Sequence, residues 1–197
     1  LSIEGVKNTP LDGPLLLVGN HASYLDPPLL GCGLPRPVLY LAQKGLAKFP
    51  PLRWWMRKVG VGLIDRNAPS KDVLRFLSDA LQKGACVAMF PEGTRTQRGV
   101  SGNYKSGGTR LAVATGAPVI PIAVTSGKVW PRKAFIKRPG TVDVSIGRPI
   151  PTVGRDPDDL LREVEGWIEA EMRRLDPEAY VAPSAPAADE QVPAAGA

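Results

Sequence analysis

Pro14-Leu15-Leu16-Leu17-Val18-Gly19-Asn20-His21-Ala22-Ser23-Tyr24-Leu25-Asp26 is the stretch on which the fold turns. Its first six residues form an apolar run of strand length that ends at a glycine and becomes polar at once. That is the pattern of a buried strand delivering a loop at its carboxyl end, the edge where open α/β sheets place their sites. The loop carries His21, the single histidine of the chain, and Asp26 five positions later. Imidazole, with an ordinary pKa of about 6.5, takes and returns protons near neutrality, and a nearby carboxylate fixes its tautomer and stabilises the imidazolium. Asp26 also has a structural reading, as a helix N-cap with Pro27 at the first helical position.

A second strand-to-loop passage supports the first. Behind Gly84, Ala85-Cys86-Val87-Ala88-Met89-Phe90 reads as another central strand, and it opens into Phe90-Pro91-Glu92-Gly93-Thr94-Arg95. Gly93 permits close backbone approach to a ligand, Thr94 offers a hydroxyl, and Arg95 offers a planar fork suited to phosphate or carboxylate. The loop reads as an anion site; the alternative is a charged surface turn with a solvated Glu/Arg pair.

Outward from these loops the chain alternates strand and helix patterns, as an α/β domain does. Val38 to Ala42 reads as one strand. Ser70 is placed to cap a helix to about Lys83, with Leu74, Leu77 and Leu81 on one face. Gly107 to Gly116 reads as a helix, Pro118 to Val124 and Thr141 to Ile146 as strands. Asp156-Pro157 opens a helix to about Leu175 whose apolar face carries Leu161, Val164, Ile168 and Leu175, with Trp167 packing. From Val181 to Ala197, ten of 17 residues are Ala or Pro, without helical or strand period, a composition that predicts disorder. The expected organisation is one domain over residues 1–178 and a tail over 179–197.

Composition bounds the function. A chain of 197 residues suits one well-buried domain. Cys32 and Cys86 lie in apolar surroundings without metal-ligand spacing, which predicts buried reduced thiols and favours the cytosolic side. With one histidine and no carboxylate cluster at ligand spacing, no metal or other cofactor is expected. GxSxG, the Walker phosphate loop and GxGxxG are absent from the sequence. The net charge of +6 and pI near 9.5 point to an anionic partner.

The distribution of charge says which. Arg36 to Lys58 holds six basic residues, no acidic ones, and the pair Trp54-Trp55; Lys128 to Arg138 holds five basic residues, no acids, Trp130 and Phe135. Cations with tryptophan suit an anionic membrane surface; the alternative is a solvated basic face with the tryptophans turned inward. No nucleic-acid-binding module accompanies the charge. No apolar run approaches the ~18 residues needed to span a bilayer, and no signal peptide opens the chain, so any membrane binding by this sequence is peripheral.

Four blocks, in order, carry a family resemblance: Asn20-His21 through Asp26, Gly62-Leu63-Ile64-Asp65-Arg66, Phe90 through Arg95, and Val119-Ile120-Pro121-Ile122-Ala123. Together they resemble the glycerophosphate acyltransferases, specifically the bacterial lysophosphatidic acid acyltransferases, over roughly residues 1–150. The resemblance implies a central, mostly parallel sheet flanked by helices. It implies acyl transfer from acyl-coenzyme A or acyl carrier protein to lysophosphatidic acid at the cytoplasmic face of the inner membrane, with His21 and Asp26 catalytic. Lys44 falls where the family carries an acceptor-phosphate lysine, Arg66 is a further candidate, and Glu92, Gly93, Thr94 and Arg95 belong to the substrate loop. Lys105-Ser106-Gly107-Gly108 resembles the segment after the third block. Other acceptors (an ornithine or ether lyso-lipid, glycerol phosphate) stay open, as does, more distantly, a non-catalytic lipid-binding module. Members usually begin with a hydrophobic helical region. This sequence opens at Leu1-Ser2-Ile3-Glu4, so an anchor is expected either to have been removed or to be lacking.

Overall fold

The computed structural model describes residues 1–43, 45, 48–58, 61–64 and 70–180. The leucine-rich run is β2 (Leu15–Gly19), and every one of its residues is buried. It pairs in parallel with β6 (Cys86–Met89) on one side and β7 (Val119–Val124) on the other. β3 (Val38–Leu39) extends the parallel set beyond β6. On the far side, β8 (Asp143–Ile146) runs antiparallel to β7, and β1 (Ser2–Glu4) lies parallel to β8. The six-stranded order is therefore β1-β8-β7-β2-β6-β3, and its one antiparallel pair makes the sheet mostly parallel, as expected.

Burial on both faces follows from the strand period of two. Leu16 and Val18 point to one face, where they meet Leu77 and Leu81 of α3 (Ser70–Gln82), Leu111 and Ala112 of α4 (Gly107–Thr115), and Leu160, Val164, Ile168 and Met172 of α5 (Pro157–Leu175). Leu15 and Leu17 point to the other, where they pack with Ile120, Ile122 and Leu30 of α1 (Asp26–Gly33). A strand covered on both sides reads as a continuous apolar run rather than an alternating one. Each such fully buried leucine contributes about 1.5–3 kcal/mol.

α5 begins as its sequence dictates. Asp156 accepts from the Asp158 and Asp159 N–H groups, which holds its carboxyl below the usual range, and proline occupies the first turn. Its buried stripe is Leu160, Val164, Ile168 and Met172, with Leu161, Leu175 and Trp167 half-buried at its flanks. Relative to the expected face, the buried stripe begins one residue earlier, at Leu160 rather than Leu161, and ends three earlier, at Met172 rather than Leu175. Pro177–Tyr180 adds a short 3-10 turn in which Tyr180 packs against the same core, two residues past the expected boundary at 178. The Ala/Pro-rich tail lies outside the described residues.

Two expectations need correction. Val38 to Ala42 is two strands: after Leu39 the chain leaves β6, and β4 (Leu41–Gln43) pairs in parallel with β5 (Gly62–Ile64) as a separate ribbon, with α2 (Pro50–Lys58) between them in the chain. Extended propensity was readable there, but the change of partner depends on distant residues. Of the two free cysteines, Cys86 is buried and Cys32 is exposed on α1. Burial pushes the Cys86 thiol up to about 11, which keeps it protonated and unreactive at neutral pH.

Candidate active site

β2, β6 and β7 all end at the same edge of the sheet, and the loops leaving them build the site. His21 Nδ1 lies 2.7 Å from Asp26 Oδ2. A carboxylate only accepts, which assigns the proton to Nδ1 and leaves Nε2 as the basic nitrogen. Phe90 stacks on the imidazole with centroids 4.4 Å apart, fixing the ring plane while the side chain keeps 20% of its surface open.

Asp26 is fully buried, and its charge is compensated by hydrogen bonds. Oδ2 also accepts from the Ala22 and Ser23 N–H groups at 3.0 and 2.9 Å, and Oδ1 accepts from the Ser126 hydroxyl. The N-cap reading is therefore corrected. The cap position belongs to Leu25, and Asp26 sits in the first turn of α1 with its carboxylate turned back onto the preceding loop. The spacing of five lets one carboxylate both close the loop and hold the histidine.

The main chain of this loop is held from two directions. Asn20 makes a paired hydrogen bond with the backbone of Val124 on β7, donating at 3.0 Å and accepting at 2.8 Å. His21 N–H donates to Glu92 Oε1 at 3.3 Å, and Thr96 N–H donates to the His21 carbonyl at 2.8 Å. Glu92 is thus placed behind the histidine, 6% exposed, rather than open to a ligand as the motif suggested. Burial raises its pKa from 4.5 to about 7, against the opposing His21 N–H bond. Its Oε2 has no hydrogen-bond partner among the described residues.

The rest of the Phe90–Arg95 loop faces outward. Gly93 N–H closes a turn onto the Phe90 carbonyl at 3.1 Å with φ +67°, a conformation that favours glycine. Thr94 is exposed. The Arg95 guanidinium lies 3.6 Å over the Tyr24 ring, and Tyr24 meets Trp130 at 5.7 Å. The Lys105 ammonium comes close to Gly93: a Cβ there would lie 3.2 Å from Nζ. Just beyond, Arg98 forks onto buried Asp176 with two bonds of 2.7 Å. Gly99, at φ +78°, presses against the Ala179 carbonyl so closely that any side chain would collide. The loop is thereby clamped to the end of α5.

The structure thus unites His21, Asp26, Glu92, Gly93, Thr94 and Arg95 at one edge. Lys44 and Arg66 lie outside the described residues. Ser126, Asn20 and Tyr24 enter the site without having been singled out for it. The readable signal for Ser126 was its place just past an apolar strand at the same sheet edge; Arg98 and Asp176 had no local signal.

A family model described as Acyltransferase matches residues 1–125. The chain is 33% identical over 181 residues to a 1-acyl-sn-glycerol-3-phosphate acyltransferase of Pseudomonas aeruginosa, covering 89% of this chain and 70% of that protein. It is 35% identical over 177 residues to a chloroplastic 1-acyl-sn-glycerol-3-phosphate acyltransferase of Arabidopsis thaliana, covering 87% of this chain and 49% of that longer protein. The crystal structure of the 1-acyl-sn-glycerophosphate acyltransferase PlsC from Thermotoga maritima superposes with a TM-score of 0.79 at 28% identity, over 88% of this chain and 71% of that one. With the His21–Asp26 pair standing at the end of β2 inside the matched region, the chain belongs to the 1-acyl-sn-glycerol-3-phosphate acyltransferase family.

Proposed function

We propose that the chain transfers an acyl group from a thioester, acyl-coenzyme A or acyl carrier protein, to the free hydroxyl of lysophosphatidic acid, giving phosphatidic acid. The observation that carries the reading is the 2.7 Å contact between His21 Nδ1 and Asp26, which leaves Nε2 to act as base. Nε2 takes the hydroxyl proton as the oxygen attacks the thioester carbonyl, and Asp26 stabilises the imidazolium so formed. The tetrahedral species then breaks its C–S bond, and the imidazolium returns its proton to the departing thiolate. A thioester already carries a good leaving group, so no acyl-enzyme is required.

Arg95 and Lys44 grip the acceptor phosphate, with Arg66 assisting, and Gly93 and Thr94 present the loop backbone and a hydroxyl to it. Stacking on Tyr24 holds the Arg95 fork in place before substrate arrives. Glu92 positions His21 through its backbone N–H. The lipid acceptor is met at an anionic membrane surface, on the cytoplasmic face of the inner membrane, by a catalytic domain that extends past the expected boundary at 178 to include Tyr180. Among the described residues no helix is long and apolar enough to cross a membrane.

The test is an acyl-transfer assay of the purified chain with both donor types across lysophosphatidic acid, ornithine and ether lyso-lipids, glycerol phosphate and monoacylglycerol. Charge-assisted hydrogen bonds contribute ~1.5–3 kcal/mol, so Arg95→Ala lowers transfer to lysophosphatidic acid by about ten- to a hundred-fold and barely changes the poor monoacylglycerol reaction. Equal slowing of both acceptors removes the phosphate assignment.

A further inference from the structure

Between Ser126 and β8 the chain makes an excursion that the chemistry at His21 does not use. Phe135 is 95% exposed and Ile136 76% exposed, two adjacent large apolar side chains standing at the tip of a loop. Isolated exposed hydrophobics are ordinary, but an apolar tip rimmed by one sign of charge marks an interaction site. Arg132, Lys133, Lys137 and Arg138 flank the tip, and no acidic residue occurs from Lys128 to Val142.

The excursion has a built shape. Arg138 N–H donates to the Val129 carbonyl at 2.8 Å and closes the base, while Ala134 N–H donates to the Pro131 carbonyl at 3.1 Å. Lys133, the one non-glycine residue with positive φ among the described residues, turns the chain between them. Trp130 supports the loop from below: its Nε1–H donates to the Ala134 carbonyl at 2.8 Å, and Lys137 Nζ stands 4.2 Å over its ring. The same Trp130 touches Tyr24, which carries Arg95 on its face. Two ring contacts therefore link the loop to the proposed phosphate-binding arginine.

We propose that residues 131–139 form a docking finger that seats Phe135 and Ile136 among the headgroups of an anionic bilayer and holds the His21 edge of the sheet against the lipid surface. Charge complementarity selects the partner: four cations around an apolar tip match anionic headgroups above an acyl layer. Through Trp130 and Tyr24 the finger also adjoins the site that a lipid acceptor must reach. That last point rests on the acyltransferase reading; the docking geometry does not.

The experiment compares the native chain, Phe135→Ser/Ile136→Ser, and Arg132→Gln/Lys133→Gln/Lys137→Gln by co-sedimentation with phosphatidylcholine vesicles, with and without phosphatidylglycerol. Both sites are solvent-exposed, and unchanged thermal melting confirms folding. A probe at position 135 (Phe135→Cys in a Cys32→Ser background, Cys86 being buried) reports insertion by a blue shift in emission. The expected result is a preference of the native chain for phosphatidylglycerol vesicles, a loss of at least tenfold in partitioning for either variant, and a shift of the probe. Turnover of a water-soluble short-chain acceptor by Phe135→Ser/Ile136→Ser stays native while turnover of a vesicle-embedded acceptor falls. Native partitioning of the Phe135→Ser/Ile136→Ser variant, or a silent probe, overturns the proposal. Absence of acyl transfer by the native chain would defeat the functional reading and leave the vesicle result standing.

Discussion

Replacing Glu92 with glutamine separates what its charge does from what its shape does. Oε1 of the new amide still accepts the His21 N–H, so the loop keeps its hold, while the titrating proton is gone. The native carboxyl binds its proton more tightly folded than unfolded, about 7 against 4.5, a gap worth about 3 kcal/mol. The sign follows from that order. Below pH 4.5 both states are protonated and the carboxyl's contribution is fully present. As pH rises through 7 it is lost, because the folded state must then hold a buried carboxylate. Urea unfolding of native and Glu92→Gln proteins from pH 4 to pH 8 measures it: the stability difference moves in favour of glutamine by up to about 3 kcal/mol, mostly between pH 4.5 and pH 7. Acyl transfer by Glu92→Gln stays within a few-fold of native, whereas Glu92→Ala, which orphans the His21 N–H, loses far more. A stability difference that is flat with pH would show that Glu92 is not the buried, proton-holding group described.

Other expectations are simpler. His21→Ala abolishes detectable transfer while the melting temperature stays close to native; loss of a general base typically costs ~10²- to 10⁴-fold. Asp26→Asn preserves the bonds to Ala22 and Ser23 but removes the charge facing the imidazolium, so kcat falls at least ~10²-fold with little change in acceptor KM; near-native turnover would refute the pairing. Arg98→Ala leaves buried Asp176 without its fork and destabilises the protein by about 2 kcal/mol in urea unfolding, loosening the loop that Thr96 ties to His21. Deleting residues 181–197 changes neither activity nor melting temperature; a loss above ~1 kcal/mol would show that the tail docks.

What could be read in advance was whatever local pattern controls. The Leu15–Val18 run and the helix over 70–82 follow from periodicity, and the His21/Asp26 and Phe90–Arg95 loops announce themselves by chemistry placed just past apolar strands. What escaped depends on residues distant in sequence. Nothing near Glu92 says that it will be buried behind His21, because the burial arises when β6 docks beside β2. Nothing near Asp26 says that Ser126 will meet it from β7's end. Leu39 and Leu41 look alike, and only the neighbours available after folding send one to β6 and the other to β5.

The paired bond between Asn20 and Val124 joins groups 104 positions apart, and this has a kinetic meaning. The Asn20 bond to β7 can form only once β7 has closed against β2, a non-local contact whose loop-closure entropy must be paid before the contact rewards it. During refolding from urea, helical circular dichroism should therefore recover ahead of acyl transfer, and the return of turnover times the arrival of β7. The same bond makes the site a sensor of strand registry: a slip of one residue in β7 would present the Asn20 amide with mismatched backbone groups and leave a histidine present but unset.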